Sequence, residues 1–513
     1  MRKFIAGDAA KAILSGLLTV FAATQVNFIL AWVCFIPLFL VLVKQTPKQA
    51  ARSGFLFGLS MAIPSFYWMI PGAHRFTGSS VIYGILIFIV CAAILCSYFS
   101  LLTFCFSRIR KASTTKTGNI LLNGLLAASL FTTFEWLLMM FSQRMPWFEF
   151  HSGMALADNL SAIQPAEFFG IHILSFAVVL VNFLLAGFIY KKQWVKLLIP
   201  VAVFALYMLA GSVMAISMRN PFIKDDAYVN VAILAQNLPP ETKWDDNTGD
   251  ALVNNMLELD STATLMKPDI ALWSESAIPW TYRKDDDLVN ELLRLSKPAA
   301  VTHVIGINTD TGSKSVYNSV YGITPDGKLT GRFDKQYLLS FIEEPFAGMI
   351  FPFLSSGGDS ATPGKGGRII NTPYGKAGII VCNEATVPSA SYDALKQGAQ
   401  FILNLSNDGW FSNSYLVDLH FYNVRLRAVE TRMDIVVNSN DGYSGMVNRR
   451  GVIVMKKKSP ASFVDVVKAW RMPQKDQTLV VKMPLLFIYL CLGVIALFII
   501  TGIISSKKQT VQR

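Results

Sequence analysis

The sequence predicts a multi-span α-helical membrane bundle joined to one α/β domain, and three observations carry that prediction. Apolar residues make up 52% of the 513-residue chain, yet they gather in residues 1–216 and again in 484–504. The stretch between those regions has the charge and turn content of a water-facing domain. Lys and Arg cluster in alternate gaps between the apolar runs, as they do in loops on the cytoplasmic side of a membrane.

A spanning helix needs ~20 mostly apolar residues. Runs of that character cover 12–24, 26–43, 54–70, 81–106, 120–141, 167–190, 194–214 and 484–504. The first two are short and are expected to pair tightly around Gln25 and Asn27. No cleavable signal peptide is evident, because the first run passes straight into the second. Eight spans place both termini on one side. Basic gaps at Lys44, Lys48 and Arg52, at Arg108, Arg110, Lys111 and Lys116, and at Lys191, Lys192 and Lys196 alternate with poorly charged gaps at 71–80 and 142–166. Both termini are therefore expected in the cytoplasm and residues 215–483 outside it. The domain boundaries that follow are 1–216 for a membrane domain of about seven helices, 217–483 for the α/β domain, and 484–513 for a last span and tail. The net charge of +12 is accounted for by this topology. The expected partner is a lipid bilayer and not nucleic acid.

Glu135, His151, Glu167 and His172 lie within or beside the spans. Two readings stand: ionisable groups at membrane depth with a functional task, or residues at helix ends in the interface.

In the α/β domain the expected strands are Val229–Ala235, Ile270–Trp273, Val301–Ile307, Tyr317–Ile323, Lys376–Val381, Phe401–Leu405, Ile435–Ser439 and Gly445–Val447. Helices are expected over roughly 249–266, 285–296, 388–397 and 417–431. Short apolar strands separated by helical stretches make sheets covered by helices.

Three segments carry chemistry. The first apolar strand of interest runs into Trp273-Ser274-Glu275, which sets a carboxylate at a strand end, where sites on α/β sheets form. In the second, Arg332-Phe333-Asp334-Lys335 is followed by an apolar stretch, which carries an ammonium into a partly buried place. The third is an apolar strand ending in Cys382-Asn383-Glu384. Of the six cysteines, Cys34, Cys91, Cys96, Cys105 and Cys491 lie in apolar runs and only Cys382 lies in the water-facing part. A disulfide framework there is excluded. Taken singly, each residue has a plain alternative: a core cysteine, a surface carboxylate, a surface lysine. Together they are what acyl transfer requires. A thiolate is a strong nucleophile and a neighbouring cation favours it. A carboxylate can take the thiol proton and return it, and an ammonium with a backbone N–H can stabilise the tetrahedral oxyanion. His303 and His420 have no metal-ligand spacing, so no metal and no cofactor are expected.

Glu275, Lys335 and Cys382 lie sixty and then forty-seven positions apart, and this order and spacing resemble the Glu–Lys–Cys triad of the nitrilase superfamily. Within it, the whole chain resembles the membrane-integrated apolipoprotein N-acyltransferase family: seven spans, a nitrilase-like domain, one final span. The supporting segments are Trp273-Ser-Glu275-Ser-Ala-Ile-Pro279, Tyr317-Asn-Ser319, Ser406-Asn-Asp-Gly-Trp410-Phe411, Arg427-Ala-Val-Glu-Thr431 and Met145-Pro-Trp147. The resemblance implies an α-β-β-α sandwich on the extracytoplasmic face of a bacterial inner membrane. It implies that Glu343 orients Lys335 and contributes to the oxyanion site, with Asn383 and Glu384 in support; the neighbouring Glu344 competes for the role of Glu343. It also implies that Trp244 sits on a loop near the site and that Trp410 and Phe411 line the acyl pocket, although both aromatics read equally well as core. The implied reaction takes an acyl chain from a membrane phospholipid through a Cys382 thioester to the N-terminal amine of a diacylglyceryl-cysteine lipoprotein.

The chain departs from the family pattern at four places near the site. Asn383 stands where the family has tyrosine, and Tyr337, Ser340 and Ile342 replace a histidine, a proline and a glycine. An arginine usual after the fifth-span Glu-Phe-Leu is absent from Glu135-Trp-Leu-Leu-Met. Two rival functions remain: a membrane-tethered carbon-nitrogen hydrolase that uses water, and a non-enzymatic transporter or lipid scaffold. Eight spans are more than tethering needs, and an intact Glu, Lys and Cys speak against decay.

Overall fold

A computed structural model describes residues 6–72, 81–111, 117–217, 227–239, 242, 244–312, 315–340, 343–344, 360–411, 414–473 and 477–511. Ile342, and with it the glycine replacement noted above, lies outside the described residues, as does the side chain of Trp410. Among the described residues, six helices are long and apolar enough to cross a membrane: Ala6–Thr24, Val81–Ile109, Thr117–Ser142, Ile171–Tyr190, Trp194–Ser217 and Leu486–Ile504.

Two of the eight expected spans are not among these six. The run at 26–43 breaks into Phe28–Ala31 and Ile36–Leu42. The Asn27 side chain caps the first piece by accepting from the Leu30 N–H at 3.0 Å. At the break, Asn182 Oδ1 accepts from the Phe35 N–H at 2.9 Å while its Nδ2 donates to the Ala31 carbonyl at 2.8 Å. A non-helical backbone at membrane depth must have its polar groups satisfied inside the protein, and the buried Asn182 does this. The run at 54–70 belongs to Pro47–Phe66, whose N-terminal turns carry Lys48 and Arg52. Its Gly54 and Gly58 sit one turn apart against Val81–Ile109. A Cβ on Gly54 would lie 2.2 Å from the Phe99 carbonyl oxygen, and one on Gly58 2.9 Å from the Cys96 Cα. Two small residues at that spacing let helices approach closely in lipid, where packing replaces the hydrophobic effect.

The α/β domain is two stacked sheets. One holds β1 (Tyr228–Ala235), β2 (Ile270–Leu272), β3 (Ile278–Thr281), β4 (Thr302–Asp310), β5 (Ser315–Tyr317), β6 (Ser319–Ile323), β7 (Leu329–Asp334) and β8 (Ser360–Ala361). The other runs from β9 (Ile369–Thr372) through β10 (Gly375–Val381), β11 (Phe401–Asn407), β12 (Ile435–Asn440) and β13 (Ser444–Val447) to β14 (Ile453–Lys457). Finally β15 (Phe463–Trp470) returns to the first sheet, antiparallel to β1. Side chains on a strand alternate between faces, and the burial follows. Val231, Ile233, Leu272 and Val304 meet Ile379, Val381, Leu403 and Val436 between the sheets. The alternate residues Ala232 and Leu234 face helices Gly249–Leu265 and Asp287–Ser296. On the far side Ile380, Ile402 and Ile435 face Pro388–Lys396 and Leu416–Thr431. The result is an α-β-β-α sandwich. Asn438 Nδ2 pins the sheets together by donating to the Leu234 and Leu272 carbonyls, both at 2.8 Å.

The sandwich rests on the loops of the membrane part. Arg425 Nη1 donates to the Ala157 carbonyl at 2.9 Å, and Arg432 pairs with Glu167 at 2.6 Å. The Ser340 N–H donates to the Arg144 carbonyl at 2.9 Å. Of the four polar groups noted near the spans, Glu167 therefore works at the junction between the two parts. Glu135 is buried and accepts from the Ser152 N–H at 3.0 Å.

Candidate active site

Lys335 and Cys382 each follow directly on a strand and Glu275 lies three residues past the end of β2, and the topology brings those strand ends to one edge. In the first sheet β2 runs parallel to β4, β4 antiparallel to β6, and β6 antiparallel to β7. So β2 and β7 point the same way, and Glu275 and Lys335 leave the same edge. Cys382 leaves the end of β10 in the facing sheet. Sharp turns follow two of these strands: Ser276 and Cys382 both have left-handed backbones, with φ of 49° and 50°. Such a conformation costs on the order of 1–3 kcal/mol for a residue with a Cβ. It swings the Cys382 thiol away from the sheet at the start of the short helical segment Cys382–Thr386. Gly306 on β4 supports the other turn, since a Cβ there would lie 2.5 Å from the Ser274 carbonyl oxygen.

The centre of the cluster is Lys335, 1% exposed. Its Nζ lies 3.0 Å from Glu275 Oε1 and 2.9 Å from Glu343 Oε2. Asn318 Nδ2 donates to both carboxylates, at 2.8 Å to Glu275 and 3.1 Å to Glu343. Burial works against the ammonium, but Glu275, Glu343 and Cys382 outweigh it and hold its pKa well above the ordinary lysine value. Burial raises the Glu275 pKa, Lys335 opposes the rise and Glu343 adds to it. The Cys382 thiol is pushed well up by burial and by Glu275, with Lys335 pulling the other way. The resting cluster is thus a neutral thiol beside an ammonium shared by two carboxylates. Moving the thiol proton to Glu275 leaves the charge of the cluster unchanged, so no additional net charge is desolvated.

Glu384 does a different task. It is fully buried and pairs with the equally buried Arg368 at 2.8 Å. It also accepts from the Val381, Gln336 and Tyr337 N–H groups at 2.9, 2.9 and 3.2 Å. Burial opposes its charge, but Arg368 and these N–H groups hold its pKa below the ordinary value. It ties the turn bearing Cys382 to the segment after Lys335 and so positions both. Asn383, at the tyrosine position of the family pattern, commits its Nδ2 to the Tyr337 carbonyl at 3.0 Å and makes the same link a second time.

Phe411 packs edge-on against Trp68 of the membrane part, with ring centroids 5.7 Å apart, and against His420 at 6.1 Å. It stands between the bundle and the site. Trp244 packs edge-on against Trp280 at 5.3 Å, beside the outer helices of the sandwich. Glu344, the neighbour of Glu343, pairs instead with Arg144 at 2.5 Å.

Four residues were not singled out from the sequence as site residues. Asn318, in the Tyr317-Asn-Ser segment, bridges the two carboxylates. Arg368 neutralises Glu384. Asp408 and His420 form a buried pair, His420 Nδ1 to Asp408 Oδ1 at 2.5 Å. One atom each from Cys382, Asp408 and His420 lies within 4.8 Å of the others.

Two known families cover most of the chain. Residues 15–184 match the apolipoprotein N-acyltransferase N-terminal domain and residues 230–456 match the carbon-nitrogen hydrolase domain. A Geobacter metallireducens protein called apolipoprotein N-acyltransferase is 26% identical, over 87% of this chain and 86% of its own. A Haemophilus influenzae protein of the same name is 26% identical over 86% of this chain and 85% of its own. One from Agrobacterium fabrum reaches 32% identity over 37% of each chain.

The geometry separates the two adjacent glutamates. Glu343→Gln is expected to lower the rate of acyl transfer by on the order of 10²-fold. Glu344→Gln, which weakens a pair with a half-exposed arginine and a long contact from Ser340 Oγ, is expected to leave that rate close to wild type. Acyl-transfer rates of the two variants at saturating substrate distinguish them; the reverse pattern would assign the supporting role to Glu344.

Proposed function

Because this chain belongs to the apolipoprotein N-acyltransferase family of the nitrilase superfamily and is a multi-pass bacterial membrane acyltransferase, we propose that it transfers an acyl chain from a phospholipid to the N-terminal amine of diacylated lipoproteins through a thioester on Cys382. In this reading Glu275, Lys335 and Cys382 are catalytic and Glu343, Asn383 and Glu384 support them. Trp244, Trp410 and Phe411 contact substrate. No metal or cofactor takes part. Residues 1–216 form the membrane domain, 217–483 the catalytic domain and 484–513 the last span and tail.

The observation that carries the reading is the setting of the Cys382–Lys335–Glu275 cluster against the membrane part. Phe411 rests on Trp68, and the segment after Lys335 is bonded to Arg144 at its Ser340 N–H. An acyl ester rising from the bilayer meets the thiol with little exposure to water, which favours an amine acceptor over hydrolysis. In the first step Glu275 takes the thiol proton, and sulfur attacks the ester carbonyl. The carbon–oxygen bond breaks and Glu275 returns the proton to the departing lysophospholipid. Lys335 and the Asn383 N–H stand beside the carbonyl oxygen as it gains charge. In the second step the lipoprotein amine attacks the thioester, the carbon–sulfur bond breaks, and the Cys382 thiol is restored by way of Glu275.

Purified chain in vesicles of acyl-labelled phospholipid, given a diacylglyceryl-cysteine peptide, is expected to yield labelled amide on the peptide amine and lysophospholipid in equal amounts. Cys382→Ala is expected to yield neither. Release of free fatty acid without acylated peptide would make the chain a hydrolase.

The reading also sets the catalytic domain on the periplasmic side of the inner membrane, on the strength of the alternating basic loops. A periplasm-dependent reporter inserted near Asn308 is expected to be active and a cytoplasm-dependent one silent; the opposite result would invert the topology.

A further inference from the structure

The proton balance of the proposed second step leaves one proton without a carrier. An α-amine has a pKa of about 8, so near neutral pH most acceptor molecules arrive as ammonium. In becoming an amide N–H, that nitrogen loses two protons. One returns to the Cys382 sulfur through Glu275. The other must go to a second base within reach of the attacking nitrogen.

A buried histidine lies close to Cys382. His420 sits on helix Leu416–Thr431, 6% exposed, with Nδ1 2.5 Å from Asp408 Oδ1. Against an ionised carboxylate that nitrogen carries the hydrogen. The lone pair then lies on Nε2, which is buried and meets no hydrogen-bond partner among the described residues. A buried imidazole nitrogen left open while the other is anchored by a carboxylate is the arrangement of a general base next to a nucleophile. The pair is fixed from behind, since Asp408 Oδ2 also accepts from Ser439 Oγ at 2.9 Å. His420, Asp408 and Cys382 bring one atom each within 4.8 Å of one another. An amine approaching the thioester carbon stands about 3–3.5 Å from it, which brings a nitrogen attacking an acyl group on Cys382 into the neighbourhood of the imidazole ring, where one water can bridge to Nε2.

Resting on the thioester reading above, we infer that His420, oriented by Asp408, is the catalytic base that takes the second proton from the acceptor ammonium. The nitrogen–hydrogen bond of the ammonium breaks, the imidazole becomes imidazolium, and the proton passes to water when the acylated product leaves. The charged and titratable groups that face the imidazole favour this role. Asp408, Glu149 and Glu275 are acidic and Cys382 is the neighbouring thiol. Burial opposes protonation of the ring, but Asp408, Glu149 and Glu275 outweigh it and hold its pKa above the ordinary imidazole value.

The test separates the two half-reactions. His420→Asn keeps a donor for Asp408 and removes the base, and His420→Gln serves as the second variant. Each is loaded with acyl chain from phospholipid vesicles, and the thioester on Cys382 is measured before and after adding diacylglyceryl-cysteine peptide. Loading is expected at the wild-type rate, which also reports a folded site. Aminolysis at pH 7 is expected to fall by on the order of 10²-fold. That deficit is expected to shrink as pH rises past about 8, where the amine arrives already neutral. Equal loss of loading and aminolysis, or a deficit constant across pH, would make His420 structural and overturn the inference. So would a stoichiometric metal on the wild-type protein whose removal by a chelator stops loading, because the three side chains would then be its ligands. Wild-type protein that forms no thioester overturns the thioester reading itself, an outcome distinct from a variant that loads but does not pass the acyl chain on.

Discussion

An ammonium with 1% exposure cannot stay charged without partners, and the site is arranged around meeting that need at Lys335. Glu275 and Glu343 grip Nζ from two sides at 3.0 and 2.9 Å. Each carboxylate is in turn held by Asn318. Removing one member of such a buried group costs about 3–5 kcal/mol, because it strands a charge. The same cost keeps the cluster together when a proton moves within it. Burial raises the pKa of Glu275, and Lys335 opposes the rise.

Positioning comes from a second buried ion pair that never touches the reacting atoms. Glu384 and Arg368 neutralise each other in the core, and Glu384 spends its remaining capacity on three backbone N–H groups. Those groups belong to the strand before Cys382 and the segment after Lys335. One carboxylate thus sets the distance between the Cys382 thiol and the Lys335 ammonium, which lie on facing sheets. The family's tyrosine after the cysteine is asparagine here, and the link from Asn383 to the Tyr337 carbonyl does the same tying at closer range. The Arg144–Glu344 pair and the Phe411–Trp68 contact then hold this assembly to the bundle.

Much of this was legible in the sequence because it is local. Strands such as Val229–Ala235 and helices such as 417–431 announce themselves by periodicity, and Cys382 stands out as the one thiol beyond the apolar runs. The expectation missed β3, β7, β8, β9, β14 and β15, for particular reasons. β7 is Leu-Thr-Gly-Arg-Phe-Asp, with only Phe333 buried. β14 carries Lys456 and Lys457 and has no fully buried residue. The span at 26–43 reads as one apolar run, but its break is stabilised by Asn182, about 150 residues away. Asp408 and His420 are invisible as a pair, because a loop and a helix must fold onto Cys382 before twelve positions of separation become a 2.5 Å contact. Arg368 is hidden for the same reason: nothing local to it names Glu384 as its partner.

The central claim is that Cys382 carries the acyl chain. Its most direct test is the mass of the intact protein after incubation with a single defined phospholipid and no acceptor. The account predicts a gain of one acyl group, mapped to the peptide containing Cys382, lost on treatment with hydroxylamine, and absent from Lys335→Met. A protein whose mass stays unchanged while it acylates an added peptide would contradict it, since transfer would then run directly from lipid to amine.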